Sequence, residues 1–210
     1  KGEFMRDDQG RLIDIGRHID LIAMPTVRVA NQVLGAYSTT AEAIYAGLTS
    51  SLSSASDTTN KVLPGVLKLD FELSAALHDR LSEAGFVTFW TVPGRGPVVV
   101  NGVTAANPDS DYRSLPNIRI ALEAARRVRM VSEKYRGEPY NLPQRNAHIT
   151  DIQAELDSMV DPEGKLTDFS FTIQQSLKDR ILHNAVIILD LVPAFSLKTI
   201  TMPVSLRPTL

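Results

Sequence analysis

Three extended segments follow one another at the end of the chain, at residues 168–174, 185–192 and 197–207. The last alternates strictly. Ile200, Met202, Val204 and Leu206 fall on one side, and Thr199, Thr201, Ser205 and Arg207 on the other, the two-residue period of a half-buried strand. Pro203 lies within it, and a residue without an amide hydrogen is tolerated in a sheet where no neighbour needs that donor. The segment is therefore expected at a sheet edge. An edge leaves a row of backbone donors and acceptors open to another chain. On this ground Thr199, Thr201, Pro203 and Ser205 are candidate subunit contacts, and the chain's end points to assembly rather than chemistry.

A chain of 210 residues suits one domain, or one domain with a lobe, and buries roughly 70% of its unfolded surface. Apolar residues make up 43% and charged residues 22%, ordinary for a soluble globular protein. The net charge of −2 exerts no general pull toward nucleic acid or an anionic membrane. With no cysteine, disulfides, thiolate metal sites and a cysteine nucleophile are excluded. No apolar run approaches the roughly 20 residues that span a bilayer. Residues 1–10 are set aside as a disordered lead, because Lys1-Gly-Glu-Phe-Met5 reads as an expression scar; the chain is expected to be a piece of a longer protein. Residues 11–165 then form a core α/β domain, and 166–210 a strand lobe of the same domain.

Along the chain, residues 11–15, 18–24 and 26–30 are strand candidates. Thr39-Thr-Ala-Glu42 has capping-box spacing ahead of a helix with Ala41, Ile44, Leu48 and Leu52 on one face. Ala46, Gly47, Ser50 and Ser51 give that helix a small-residue surface. A second helix is expected over 72–84, with Leu73, Leu77, Leu81 and Ala84 as its stripe and Gly85 as its stop. Residues 86–92 and 98–104 are β-branched or aromatic and flank Pro93-Gly-Arg-Gly-Pro97, which predicts an antiparallel hairpin. Helices follow at 116–134 and 147–159. The fold class is α/β with α+β character: a mixed sheet with antiparallel hairpins, flanked by helices.

Candidate chemistry is sparse. Gly94-Arg-Gly96 lacks the length and the following Lys-Ser/Thr of a phosphate loop and reads as a hairpin turn. His18, His78, His148 and His183 are far apart, and none has a second ligand at the spacing of a zinc or iron site. Asp109 and Asp111 lack the glycine and glutamate of a calcium loop and suit a turn with a helix cap. Asp190, inside an apolar strand, is either a functional carboxylate or a structural one; no second catalytic group stands beside it. No catalytic, cofactor-binding or metal residue is assigned. Charge placement is more informative. From 119 to 136 there are six bases (Arg119, Arg126, Arg127, Arg129, Lys134, Arg136) against Glu123 and Glu133, while Asp151, Glu155, Asp157, Asp161 and Glu163 follow without a base. Such helices meet across copies, pack on each other within one chain, or stand as two solvated faces. Arg126, Arg127, Arg129, Asp151, Glu155 and Asp157 are the corresponding contact candidates.

Several segments taken in order resemble a known family. They are Pro93-Gly-Arg-Gly-Pro-Val-Val-Val-Asn-Gly-Val-Thr-Ala-Ala106, Ser110-Asp-Tyr-Arg-Ser-Leu115, Ile118-Arg-Ile120, Gly137-Glu-Pro139 with Leu142-Pro-Gln-Arg-Asn146, Gly164-Lys-Leu-Thr-Asp-Phe169, and Leu189-Asp-Leu-Val-Pro-Ala-Phe195. Together, over about residues 12–208, they resemble the carboxyl-terminal part of contractile tail sheath proteins of bacteriophages and related injection machines. That resemblance implies a structural protein without cofactors. Its partners would be other sheath subunits, a tail tube protein and a baseplate, with neither nucleic acid nor membrane bound, in a virion assembled in the host cytoplasm. Contraction would be a one-way rearrangement of the array. The chain departs from a whole subunit in lacking the long amino-terminal arm and outer insertions, so a monomer or weak oligomer is expected in isolation. The competing readings are an α/β enzyme, which requires a pocket joining a nucleophile or paired carboxylates to a histidine, and another tail or baseplate component.

Overall fold

The computed structural model describes residues 14–24, 26–31, 33, 35–175 and 184–196. The alternating 197–207 segment, with Thr199, Thr201, Pro203 and Ser205, lies outside the described residues, as does His183. The described chain is α/β with antiparallel hairpins, its strands divided among four small sheets.

Ile15–His18 form a single 3-10 turn in place of the end of the first expected strand. The 18–24 strand is reduced to β1 (Leu21–Ile22), which pairs in parallel with β5 (Phe86–Val87). It grows no further toward its start because the Ile19 carbonyl is taken by the Ala105 amide, from outside any strand, at 2.8 Å. β2 (Thr26–Asn31) lies at the centre of an antiparallel sheet between β3 (Gly35–Thr40) and β4 (Val66–Leu69). Sequence pattern reveals neither neighbour, since β3 carries no apolar alternation and β4 is four residues long.

Helix α1 (Ala41–Ser51) begins one residue later than capping-box spacing requires. Thr39 and Thr40 are still paired to β2, so Thr40 becomes the N-cap, Glu42 falls one place short of the reciprocal position, and no side-chain cap forms. Its buried stripe is Ala41, Tyr45 and Leu48, with Ile44 and Leu52 half-buried beside it. Helix α2 (Ala75–Ala84) ends as expected at Gly85, whose φ of +94° lets its amide donate back to the Leu81 and Ser82 carbonyls. The face it buries is rotated by one residue from the leucine stripe. His78 and Ser82 are inside while Leu77 is exposed, and His78 Nδ1 is satisfied by Thr88 Oγ1 at 2.8 Å.

β6 (Phe89–Val92) and β7 (Gly96–Val99) form the expected hairpin around Gly94-Arg95-Gly96, with positive φ at both glycines. β7 stops short of the predicted 104, and Val103 makes only an isolated bridge to Ser114. Ser110 caps a 3-10 turn, Asp111–Arg113, consistent with the turn reading of that acidic stretch. Helix α3 (Leu115–Ser132) follows, then α4 (Leu142–Val160). α4 starts five residues before the apolar pattern indicates: the Asn141 side chain accepts from the Gln144 amide, and Pro143 occupies the first turn, where no donor is needed. β8 (Leu166–Gln174) and β9 (Val186–Pro193) close the described chain as an antiparallel hairpin.

Two apolar clusters hold these elements. The first gathers Met24, Val27, Tyr45, Leu63, Val87, Phe89 and Val99, and ends on Leu115 and Ile118 of α3. The second begins two residues on, with Ile120, Ala124, Val128 and Val131 of α3 meeting Ile152, Leu156 and Met159 of α4 and Leu166 and Ile173 of β8. α3 is thus the wall common to both. Ile120→Ala, at a site with no exposure, is expected to cost about 2–5 kcal/mol in denaturant unfolding through lost burial and a cavity.

Candidate functional site

The hairpin β8–β9 is the longest of the two-stranded sheets in the described chain. Its two strands pair over their full length with one irregularity between Leu166 and Asp168, and among the described residues no third strand joins either side. Alternation sorts its side chains. Phe169, Phe171, Ile187, Leu189 and Leu191 turn toward the second cluster, whereas Val186, Ile188, Asp190 and Val192 are exposed. Asp190 sits opposite Ser170, whose hydroxyl reaches it at 3.5 Å, and is no buried charge. The outer face therefore carries three exposed β-branched residues beside an edge that no described strand covers.

The two charged helices pack on each other within the chain. Arg127 donates in parallel to both Glu163 oxygens, at 2.9 and 2.8 Å, and to Glu123 at 2.7 Å. Lys165 reaches Glu123 at 2.8 Å and Glu163 at 2.7 Å, and the Ser54 hydroxyl also donates to Glu123. This half-buried network ties the segment after α1 to α3 and to the entry of β8. Burial pushes the Glu123 carboxyl up, but hydrogen bonds from Lys165, Ser54 and Arg127 more than reverse this and hold it at about 2. Asp151 accepts from Tyr135 Oη at 2.9 Å and from Lys134 Nζ at 3.3 Å. Of the charged contact candidates, Arg127 and Asp151 thus have partners inside the chain. Arg126, Arg129 and Asp157 are exposed and Glu155 is half-buried.

A cleft of ≈ 1230 Å³ opens where α3, α4 and β9 converge, lined by Val128, Arg129, Tyr140, His148 and Ile187 among others. His148 is buried on its floor. Ser132 Oγ donates to the Val128 carbonyl at 2.7 Å, so His148 Nε2–H donates to Ser132 at 2.8 Å and Tyr140 Oη–H donates to Nδ1 at 2.9 Å. Tyr135 stacks on the imidazole at 4.4 Å between centroids. Burial lowers the histidine's pKa, with the Asp151 charge opposing, and the neutral ring suits both bonds. Because the serine proton is committed to a helix carbonyl, the histidine does not activate that hydroxyl. The trio is a clasp that holds the 136–141 loop onto both helices. His78 is likewise a core residue, bonded through Nδ1 to Thr88 Oγ1 while its buried Nε2 has no partner among the described residues, and His18 is exposed beside Arg17. Among the described residues no group of three or more His, Asp or Glu is placed to hold a metal ion.

No protein-family model and no curated relative matches the sequence. Solved structures do match its fold. A chain of the anti-feeding prophage baseplate superposes with a TM-score of 0.73 at 16% identity, covering 86% of this chain and 53% of that one. A chain of the sheath complex of an extracellular contractile injection system, in its contracted state, gives 0.72 at 14% identity, covering 87% and 55%. The sheath tail protein of Listeria innocua gives 0.67 at 14% identity, covering 81% and 42%. The chain has the fold of contractile sheath proteins. It spans about half the length of these structures. Within the sheath fold, the four-membered network Glu123–Arg127–Glu163–Lys165 is a feature that charge counting along the sequence does not reveal, because it joins residues up to 42 positions apart.

Glu123→Gln is expected to lower stability at neutral pH by on the order of 1–3 kcal/mol, since it removes the ionised acceptor of three donors. The folded pKa of Glu123 is depressed from 4.5 to about 2. Its contribution is therefore full above the ordinary carboxylate range and is lost as pH falls toward about 2. Chemical denaturation at pH 7 and pH 2.5 checks this: the gap between wild type and Gln variant should narrow at the lower pH.

Proposed function

We propose that this chain is the assembly core of a contractile sheath subunit. Copies polymerise around a tail tube, on a baseplate, in the tail of a phage or phage-like particle put together in the host cytoplasm. One-way contraction of the array then drives the tube through the target envelope. The observation that carries this reading is the fold match over four fifths or more of the chain to sheath chains from separate contractile systems. No cofactor, nucleic acid or membrane enters it, and no catalytic role is assigned, the His148–Ser132 pair being oriented against hydroxyl activation.

Assembly through the terminal sheet is supported by sides that no described strand covers. Extended backbone at a sheet edge accepts a strand from a neighbour, with main-chain bonds giving affinity and alternate side chains giving register. The exposed Val186, Ile188 and Val192 offer apolar contact to whatever lies over the outer face. The 197–207 segment, with Thr199, Thr201, Pro203 and Ser205, is the stretch assigned to this exchange. A baseplate component is the second reading, favoured by the match to the anti-feeding prophage baseplate. Electron microscopy of the protein expressed at full length separates the two: tubes of uniform diameter support the sheath, and discrete rings that never elongate support the baseplate.

Thr201→Pro in the full-length protein is expected to abolish polymerisation while leaving the thermal midpoint within a few degrees, because it deletes one backbone donor and falls on the polar side of the sequence alternation. Normal sheath from this variant would overturn the strand-exchange part of the proposal.

A further inference from the structure

α3 and α4 each present a second face opposite the one they bury. On α3, Leu122, Arg126, Arg129 and Met130 lie along one solvent-exposed stripe, with Leu122 51% and Met130 61% exposed. Arg126 folds over Met130, its Nη1 reaching the sulfur at 3.5 Å. Among the described residues neither Arg126 nor Arg129 has an ion-pair partner, in contrast to Arg127 on the half-buried flank. On α4 and its C-cap, Ala147, Thr150, Ala154, Asp157 and the capping Asp161 recur at intervals of three and four and are all exposed. Asp157 accepts only an amide hydrogen bond, from Gln153 at 3.1 Å, and neither it nor Asp161 is paired to a cation among the described residues.

The two stripes are complementary in charge and relief. Leu122 and Met130 stand about 12 Å apart along α3, and Ala147 and Ala154 about 10 Å apart along α4, at 1.5 Å per residue. Large apolar side chains on one helix thus match shallow positions on the other, with two arginines against two aspartates alongside. We propose that the Leu122–Arg126–Arg129–Met130 face of one copy docks on the Ala147–Ala154–Asp157–Asp161 face of the next. The inference rests on the reading of the chain as a self-assembling subunit. Because the two faces differ, the contact is heterologous: each copy donates one and receives on the other, the geometry that propagates an array instead of closing a dimer. Exposed ion pairs alone are weak, so the arginines and aspartates set register and discriminate partners while Leu122 and Met130 supply the buried anchors. Arg127 and Asp151 drop out of the contact, since both have partners within their own chain.

The natural absence of cysteine makes a crosslinking test clean. Met130→Cys and Ala154→Cys are prepared as separate proteins, mixed at low ionic strength and treated with a short bis-maleimide. The heterodimer should exceed, by at least tenfold, that of a control mixture of Met130→Cys with Leu67→Cys, an exposed position on β4. Adding Arg126→Glu and Arg129→Glu to the first protein should reduce the yield to the control level. Asp157→Lys with Asp161→Lys in the second should then restore it. A yield at control level with the natural charges, or one indifferent to their reversal, overturns the proposal. If the full-length protein carrying the charge reversals still forms tubes in electron micrographs, only the helix contact falls; if full-length wild type forms no array at all, the sheath reading falls with it.

Discussion

α3 is the constraint on which the rest of the described chain depends. Over 18 residues it feeds Leu115 and Ile118 into one apolar cluster and Ile120, Ala124, Val128 and Val131 into the other. A straight helix is rigid over this length, so the two clusters are fixed relative to each other by a single element rather than by a flexible join. Arg119 strengthens the same junction, donating to the Leu52 and Ser53 carbonyls at the end of α1 at 2.8 and 3.0 Å. Those carbonyls lie at a helix terminus, where intrahelical partners run out and a cation is favoured by the helix dipole.

The charged groups divide into two kinds set roughly 100–160° apart about the helix axis. Arg127 turns toward β8 and finds Glu163, while Arg126 and Arg129, one and two positions away, turn outward and find no carboxylate among the described residues. Half-buried pairs gain from reduced screening and several simultaneous hydrogen bonds, whereas exposed ones contribute little to stability. The first kind fixes the fold of the chain, and the second faces solvent. The two sets stand on opposite sides of the same helices, so an outward contact of the kind proposed would leave the internal network untouched.

Much of the local structure was legible because it rests on short-range chemistry. The Gly94–Gly96 turn, the Gly85 stop, the β6–β7 hairpin and the alternation of 168–174 and 185–192 are set by backbone preferences and by two-residue periodicity. The misses have equally definite causes. β3 has no apolar face of its own and exists because β2 pairs with it. The buried face of α2 is built on His78 and Ser82, whose polarity conceals it from a search for apolar stripes. α4 begins at Leu142, followed by Pro143, a pair that reads as a loop until the Asn141 cap is seen.

For the candidate site, charge counts along the sequence located the basic and acidic helices and left open whether they meet within a chain or between chains. That choice depends on side-chain direction, and a periodicity of 3.6 residues does not reveal which flank of a helix a neighbouring segment will cover. Sequence alone determined the class of the fold, the order of most helices and hairpins, the lack of thiol chemistry and the concentration of charge on two helices. Only the tertiary structure decided that Arg127 and Asp151 are satisfied inside the chain, that His148 is a clasp, and that one helix is shared by both cores. The physical reason is the same each time: these outcomes join residues on different elements, 8 to 36 positions apart for the polar contacts, and such contacts are written in the packing rather than in any local stretch of chain.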